Sequence, residues 1–136
     1  MPFVVDSSVA LAWVLPDEHG SPADVLADSL EASPACAPSL WPLEVGNALV
    51  MAQRRKRLTE RELDRILKVL ESLAVELDAT PVDQAFPAIV VIARKLGLTT
   101  YDAAYLELAQ RRGLPLATLD TRLAECARKL GVVVLP

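Results

Sequence analysis

The sequence predicts an α/β fold in which a central parallel sheet carries helices on both faces. Two observations predict it. Short strand-like runs of three or four residues recur along the chain: the mainly apolar Phe3-Val4-Val5, Ala35-Cys36-Ala37, Leu116-Ala117-Thr118-Leu119 and Val132-Val133-Val134-Leu135, and the alternating Val75-Glu76-Leu77. Between successive runs lie segments with helical spacing of apolar residues, and strands alternating with helices build parallel sheets.

Each element has its own local signal. The first run ends at Asp6, and Ser7 or Ser8 is expected to cap a helix running through Leu15. Pro16 and Gly20 end it, and Pro22 to Leu30 reads as a second helix with its proline in the first turn. After Ala35-Cys36-Ala37, Pro42 opens a helix with Leu43, Val45, Leu49 and Ala52 on its apolar side. It closes in the basic run Arg54-Arg55-Lys56-Arg57, which suits a helix C-terminus. Thr59-x-x-Glu62 is a capping-box pattern, followed by Leu63, Ile66, Leu67, Leu70 and Leu73 at helical spacing. Helices over Val82–Leu96, Thr100–Arg112 and Thr121–Leu130 each stop at a glycine, Gly97, Gly113 and Gly131. No repeat, low-complexity tract or linker interrupts the pattern, so residues 1–136 read as one domain.

Composition narrows the function. The 136 residues are 52% hydrophobic and 24% charged, which describes a folded chain with a core. Eighteen acidic residues against fourteen basic ones give a net charge of −4, which excludes a protein that coats nucleic acid through overall positive charge. No apolar run approaches the ~18 residues of a membrane helix, and no secretory leader is visible. Cys36 and Cys126 are too few for a disulfide framework, so a cytoplasmic protein is expected, with both thiols acting as small apolar residues.

In parallel sheets, ligands bind beyond the C-terminal ends of the strands. Asp6 follows the first run and Asp120 the fourth, Asp102 opens the helix before the fourth run, and Glu44 lies in the first turns of the helix after the second. Singly, each has a structural use: Asp6 and Asp120 as caps or turn formers, Asp102 in a Thr99-x-x-Asp102 box, Glu44 against a helix dipole. Jointly they are costly. Two carboxylates ~4 Å apart repel by about 4 kcal/mol at an effective dielectric of 20. A hard cation with oxygen ligands, Mg²⁺ or Mn²⁺, relieves that repulsion, whereas zinc lacks ligands in a chain with one histidine and no thiolate pair. Ser7 is placed to hydrogen-bond a carboxylate or phosphate. Asn47, one turn past Glu44, supports that acid or meets substrate, and Thr118 shares the face of Asp120.

These segments carry a resemblance. Val4-Val5-Asp6-Ser7-Ser8, then Ser39-x-x-x-x-Glu44-Val45-x-Asn47-Ala48-Leu49, then Thr100-Tyr101-Asp102-Ala103-Ala104-Tyr105, then Ala117-Thr118-Leu119-Asp120 resemble the PIN domain, in family order and across nearly the whole chain. More narrowly, the chain is similar to VapC-type toxins of toxin–antitoxin pairs. The resemblance implies a compact three-layer α/β/α sandwich around a central, mainly parallel sheet. It also implies a metal-dependent ribonuclease whose acids match Asp6, Glu44, Asp102 and Asp120, a homodimer, and inhibition by a small cognate antitoxin.

The expected mechanism makes Asp6 and Asp102 the principal Mg²⁺ or Mn²⁺ ligands, with Asp120 beside them and Glu44 as a ligand or general base. Water attack in line then leaves a 3′-hydroxyl and a 5′-phosphate. Asp6→Asn is expected to abolish cleavage and leave the fold intact or more stable without metal. Arg54, Arg55, Lys56 and Arg57 are candidates for RNA phosphate contacts, against a solvated helix end. Arg94-Lys95, Arg111-Arg112 and Arg128-Lys129 read as helix ends or as contacts for an acidic antitoxin segment. His19 reads as a surface loop, Trp13 and Trp41 as core or dimer-interface residues, and Tyr105 as packing. The alternative function is a catalytically inactive PIN-fold module that binds RNA or a protein. An aspartyl-phosphate enzyme is weaker, because Ser8 stands where its second acid belongs, and a receiver domain wants an acidic pair where Asp6 is alone.

Overall fold

The computed structural model describes residues 2–16 and 22–136; His19 and Gly20 lie outside the described residues. Five strands form one sheet: β1 (Val4–Val5), β2 (Ala35–Ala37), β3 (Val75–Leu77), β4 (Leu116–Ala117) and β5 (Val134–Leu135). Their order is β3-β2-β1-β4-β5, and every neighbouring pair is parallel. Seven α-helices connect them: α1 (Ser7–Val14), α2 (Asp24–Asp28), α3 (Trp41–Arg54), α4 (Glu60–Ser72), α5 (Val82–Leu96), α6 (Thr100–Arg112) and α7 (Thr121–Lys129). The parallel sheet and the alternation of strands and helices are as the sequence predicts.

Burial explains why such short strands hold. Val4, Val5, Leu116 and Ala117 are wholly buried, as expected for inner strands covered on both faces. Each buried valine or leucine here contributes roughly 2 kcal/mol from apolar surface removed from water. Around them α1, α3 and α4 pack on one another, while α5 packs along α6, which in turn lies against β1 and β4. Right-handed crossovers put these two helix groups on opposite faces, which is the three-layer arrangement. In α6 every residue from Ala103 to Ala109 is buried, so this helix runs through the interior.

The local signals held at several ends. Thr59 and Glu62 form the reciprocal capping box, with bonds of 3.1 Å each way. Gly97, Gly113 and Gly131 follow their helices with φ of +67°, +63° and +76°, a left-handed geometry that glycine adopts without a Cβ penalty. Other ends differ. Asp6, not Ser7 or Ser8, caps α1, accepting from Val9 N. β5 begins at Val134 and not Val132, because Val132 N is spent on Ala127 O in the turn that closes α7. β4 ends at Ala117, although Thr118 N still donates to Leu135 O at 3.0 Å. Cys36 and Cys126 are buried free thiols. Among the described residues no helix is long and apolar enough to cross a membrane.

The strand order fixes where a site can form. From β1 the chain steps outward through β2 to β3, then returns to lay β4 on the other side of β1. The order therefore reverses between β1 and β4, and the crevice outside their C-terminal ends is the place where such sheets bind ligands. Asp6 and Thr118 are the next residues after those two strands.

Candidate active site

Register brings the first pair together. Val4 stands beside Leu116 and Val5 beside Ala117, so Asp6 and Thr118 emerge side by side from neighbouring strands. Asp6 is buried at 4% exposure, and three donors hold it. Oδ1 accepts from Ser8 Oγ at 2.6 Å and Val9 N at 3.1 Å, and Oδ2 accepts from Thr118 Oγ1 at 2.5 Å. Thr118 Oγ1 also accepts from Asp120 N at 3.0 Å. Asp120 is exposed, and its Oδ1 caps α7 through Leu123 N at 3.1 Å. Asp102 stands in the first turn of α6, where Thr99 Oγ1 accepts its backbone N–H. Glu44, in the first turn of α3, accepts a hydrogen bond at Oε1 from the hydroxyl of Tyr105.

Each of Asp6, Glu44 and Asp102 feels the charge of at least one other of the four acids. Burial raises the proton affinity of Asp6, and the charge of Asp120 raises it further, against hydrogen bonds from Ser8, Thr118 and Val9 that lower it. Burial raises Glu44, and the charges of Asp102 and Asp6 add to that, opposed by the Tyr105 hydrogen bond. Burial raises Asp102, with Asp120 adding and Arg122 opposing. The repulsions close a ring, Asp6–Asp120–Asp102–Glu44–Asp6. Tyr105, in the same surroundings, is driven far above the usual phenol range by its burial and by Glu44, so its hydroxyl remains a proton donor.

Like charges felt across a crevice are not yet a ligand set. Among the described residues no three His, Cys, Asp or Glu side chains converge closely enough to hold a metal ion. The two observations agree physically. Charge acts over many ångströms, whereas Mg²⁺ needs oxygens at about 2.1 Å. The donor chemistry, all oxygen and strongly negative, fits a hard divalent ion.

The remaining candidates are distributed unevenly. The hydroxyl bound to Asp6 belongs to Ser8, one residue beyond Ser7. Asn47 is exposed one turn past Glu44 on α3. Arg54, Arg55, Lys56 and Arg57 are exposed at the far end of α3, with Arg54 ten residues beyond Glu44 and so about 15 Å along the axis. Arg111 and Arg112, read from the sequence as helix-end charges, are engaged. Arg111 binds Asp78 at 2.6 Å and Glu107 at 2.7 Å, and Arg112 binds Asp78 at 2.9 Å. Trp13 is half-buried and donates its indole N–H to Ala23 O, and Trp41 is buried.

Sequence reasoning missed three residues. Ser8 and Tyr105 lie inside the quoted motifs, but only the fold shows which acids they meet. Arg122 carries no pattern signal. Its guanidinium is tethered to Gly97 O, and it is the base whose charge reaches Asp102. A cavity of ≈ 350 Å³ between Leu114, Pro115, Val132 and Val133 is apolar and contains none of the four acids. A more polar cleft of ≈ 320 Å³ is lined by Thr118, Asp120, Glu125 and Arg128, and of the four acids it holds Asp120 alone.

Comparison with known proteins decides the family. The model described as PIN domain matches residues 3–129. The chain belongs to the PIN domain family. It is 35% identical over 140 aligned positions to Ribonuclease VapC3 of Pyrobaculum aerophilum, covering 100% of both chains. Two solved structures share the fold. PAE2754 from Pyrobaculum aerophilum superposes with a TM-score of 0.67 at 24% identity, over 99% of this chain and 90% of that one. FitAcB from Neisseria gonorrhoeae gives 0.68 at 18% identity, over 100% and 97%.

Proposed function

We propose that this PIN domain is an Mg²⁺- or Mn²⁺-dependent endoribonuclease, the toxin of a toxin–antitoxin pair. The observation that carries the proposal is Asp6, emerging beside Thr118 and Asp120 at the strand-order reversal, with Glu44 tied by Tyr105 to the helix that bears Asp102. The chain that bears these residues is related over its full length to a ribonuclease of the VapC type. That kinship supports the toxin role; a cytoplasmic RNA target, a homodimer and a small antitoxin partner are part of the same proposal.

Asp6, Asp102, Asp120 and Glu44 are the residues that would hold the cation. When bound, the cation supplies charge to offset the scissile phosphate and the leaving oxygen, and it acidifies a nearby water. The chain supplies the rest. Three donors fix Asp6 in one orientation, so its carboxylate needs little reorganisation. Glu44, with one oxygen engaged by Tyr105 and a raised proton affinity, is suited to hold the proton of the attacking water on Oε2. Arg122 stands near Asp102, where a guanidinium contacts the phosphate backbone. Arg54, Arg55, Lys56 and Arg57 meet flanking RNA, too far from Glu44 for the scissile phosphate.

The test is cleavage of total RNA by purified protein with Mg²⁺, Mn²⁺ or chelator, with Asp102→Asn as control and the product ends mapped. Expected are 5′-phosphate and 3′-hydroxyl ends, lost with chelator and with the substitution. A 2′,3′-cyclic phosphate defeats water attack, and RNA binding without cleavage turns the assignment to a non-catalytic RNA-binding module.

A further inference from the structure

We infer that Tyr105 is a positioning residue for the nuclease centre: its hydroxyl aims Glu44 and locks α3 to α6, so that only one Glu44 oxygen is left to work. This inference rests on the nuclease reading above. The hydroxyl of Tyr105 donates to Glu44 Oε1 across 61 residues of sequence. Its ring is 1% exposed and held on all sides in the interior stretch of α6. A tyrosine so packed has no rotational freedom, so its hydroxyl points in one direction. Glutamate is the opposite case, a long side chain that otherwise samples many rotamers. The bond transfers the rigidity of the core to a flexible carboxylate at the edge of the site.

Position on the helix adds to this. Tyr105 follows Asp102 by three residues, one turn of α6, so the residue that restrains Glu44 is fixed to the helix that presents Asp102. Two acids from different helices are thereby held at a set separation. Packing alone would be served by phenylalanine. With Oε1 engaged, Oε2 is the oxygen free to meet a cation or a water. Partners of this kind, which orient a ligand without touching the metal, typically matter by 10–100-fold in metal affinity or activity.

The experiment uses the full chain with Mn²⁺ as probe. Tyr105→Phe keeps the ring and removes the hydroxyl. Calorimetric Mn²⁺ titration is expected to show affinity weakened about tenfold. RNA cleavage at saturating Mn²⁺ should show a lower kcat with KM for RNA unchanged, because Tyr105 does not touch substrate. Wild-type Mn²⁺ affinity and kcat in the variant overturn the role of Tyr105 and leave the nuclease standing. Failure of the wild type itself to bind Mn²⁺, with Asp102→Asn indistinguishable from it, overturns both.

A second measurement keeps the hydroxyl at position 105. The chain has two tyrosines, so 3-fluorotyrosine in a Tyr101→Phe background gives a single ¹⁹F resonance from Tyr105. Mg²⁺ is expected to shift that resonance, and Glu44→Gln to shift it without metal. A resonance indifferent to both overturns the proposal.

Discussion

Thr118 Oγ1 donates to Asp6 Oδ2 at 2.5 Å, joining residues 112 positions apart, and accepts from Asp120 N at 3.0 Å. One buried hydroxyl therefore orients the first acid of the ring and the backbone that carries another. Thr118→Val keeps the shape and leaves Asp6 Oδ2 buried without its donor, at a cost of about 1–3 kcal/mol. Urea unfolding is expected to show that loss and RNA cleavage a clear drop, with Thr118→Ser close to wild type in both. Equal stability and activity in the valine variant would show that the hydroxyl has no such part.

The carboxylate ring makes the metal-free protein sensitive to pH in a definite direction. Burial, then the charge of Asp120, raises Asp102 above the ordinary value of 3.8, with Arg122 opposing. The folded state thus holds this proton more tightly than the unfolded chain does. Stability is unaffected below about pH 4, falls as pH rises through the folded-state value, and stays lower above it. Among the described residues no hydrogen bond is accepted by the Asp102 carboxylate, so Asp102→Asn sacrifices none. Without divalent ions the variant is expected to melt higher than wild type at pH 7, with the advantage gone near pH 3.5. Added Mg²⁺ should stabilise the wild type alone. Asp6→Asn is a less clean probe than the sequence implies, because an amide nitrogen at Oδ2 cannot accept the Thr118 hydroxyl proton.

Asp78, just past β3, is clamped by Arg111 and Arg112 and ties that loop to the end of α6. Burial acts to raise Asp78, but hydrogen bonds from Arg111 and Thr80 and the charge of Arg111 outweigh it, and Arg112 adds to them, leaving it below 3.8. Its contribution is therefore present at neutral pH and lost as pH falls through the depressed folded-state value. The arginines are about one-third exposed, at 32% and 37%, so water screens the pair. Asp78→Asn is expected to cost about 1 kcal/mol or less at pH 7 and less at pH 2. Denaturant unfolding at both pH values measures it, and an undiminished difference at pH 2 contradicts the ionic origin.

Basic residues near and far from the acids should separate kinetically. Arg122→Ala is expected to raise KM even for a short oligonucleotide and to reduce the salt slope of binding by about one phosphate contact. Arg54→Ala with Arg55→Ala, about 15 Å along α3 from Glu44, should weaken only long RNAs. Kinetics on two substrate lengths decides it: a KM effect of the distal pair on the short substrate would bring that run to the scissile phosphate.

Much of this protein is legible one segment at a time. The capping box at Thr59 and Glu62, the glycine stops at 97, 113 and 131, and the strand-like runs at β2 and β3 depend on neighbours a few residues away. Short-range sterics and hydrogen bonding therefore specify them. Strand-end acids are visible for the same reason, because a carboxylate directly after an apolar run is a local pattern. The sequence by itself determined the alternation of strands and helices and the family motifs, and it nominated the four acids as candidates.

The tertiary structure alone decided who meets whom. No local signal tells that β4 returns to the side of β1, that Ser8 and not Ser7 reaches Asp6, that Arg111 is engaged by Asp78 and Glu107, or that Tyr105 finds Glu44. Those relations depend on register and on chain segments many residues apart, whose closure is driven by burial of the whole core. Propensity acts within a segment, whereas burial is shared among all of them, and that shared term sets which distant side chains end as neighbours.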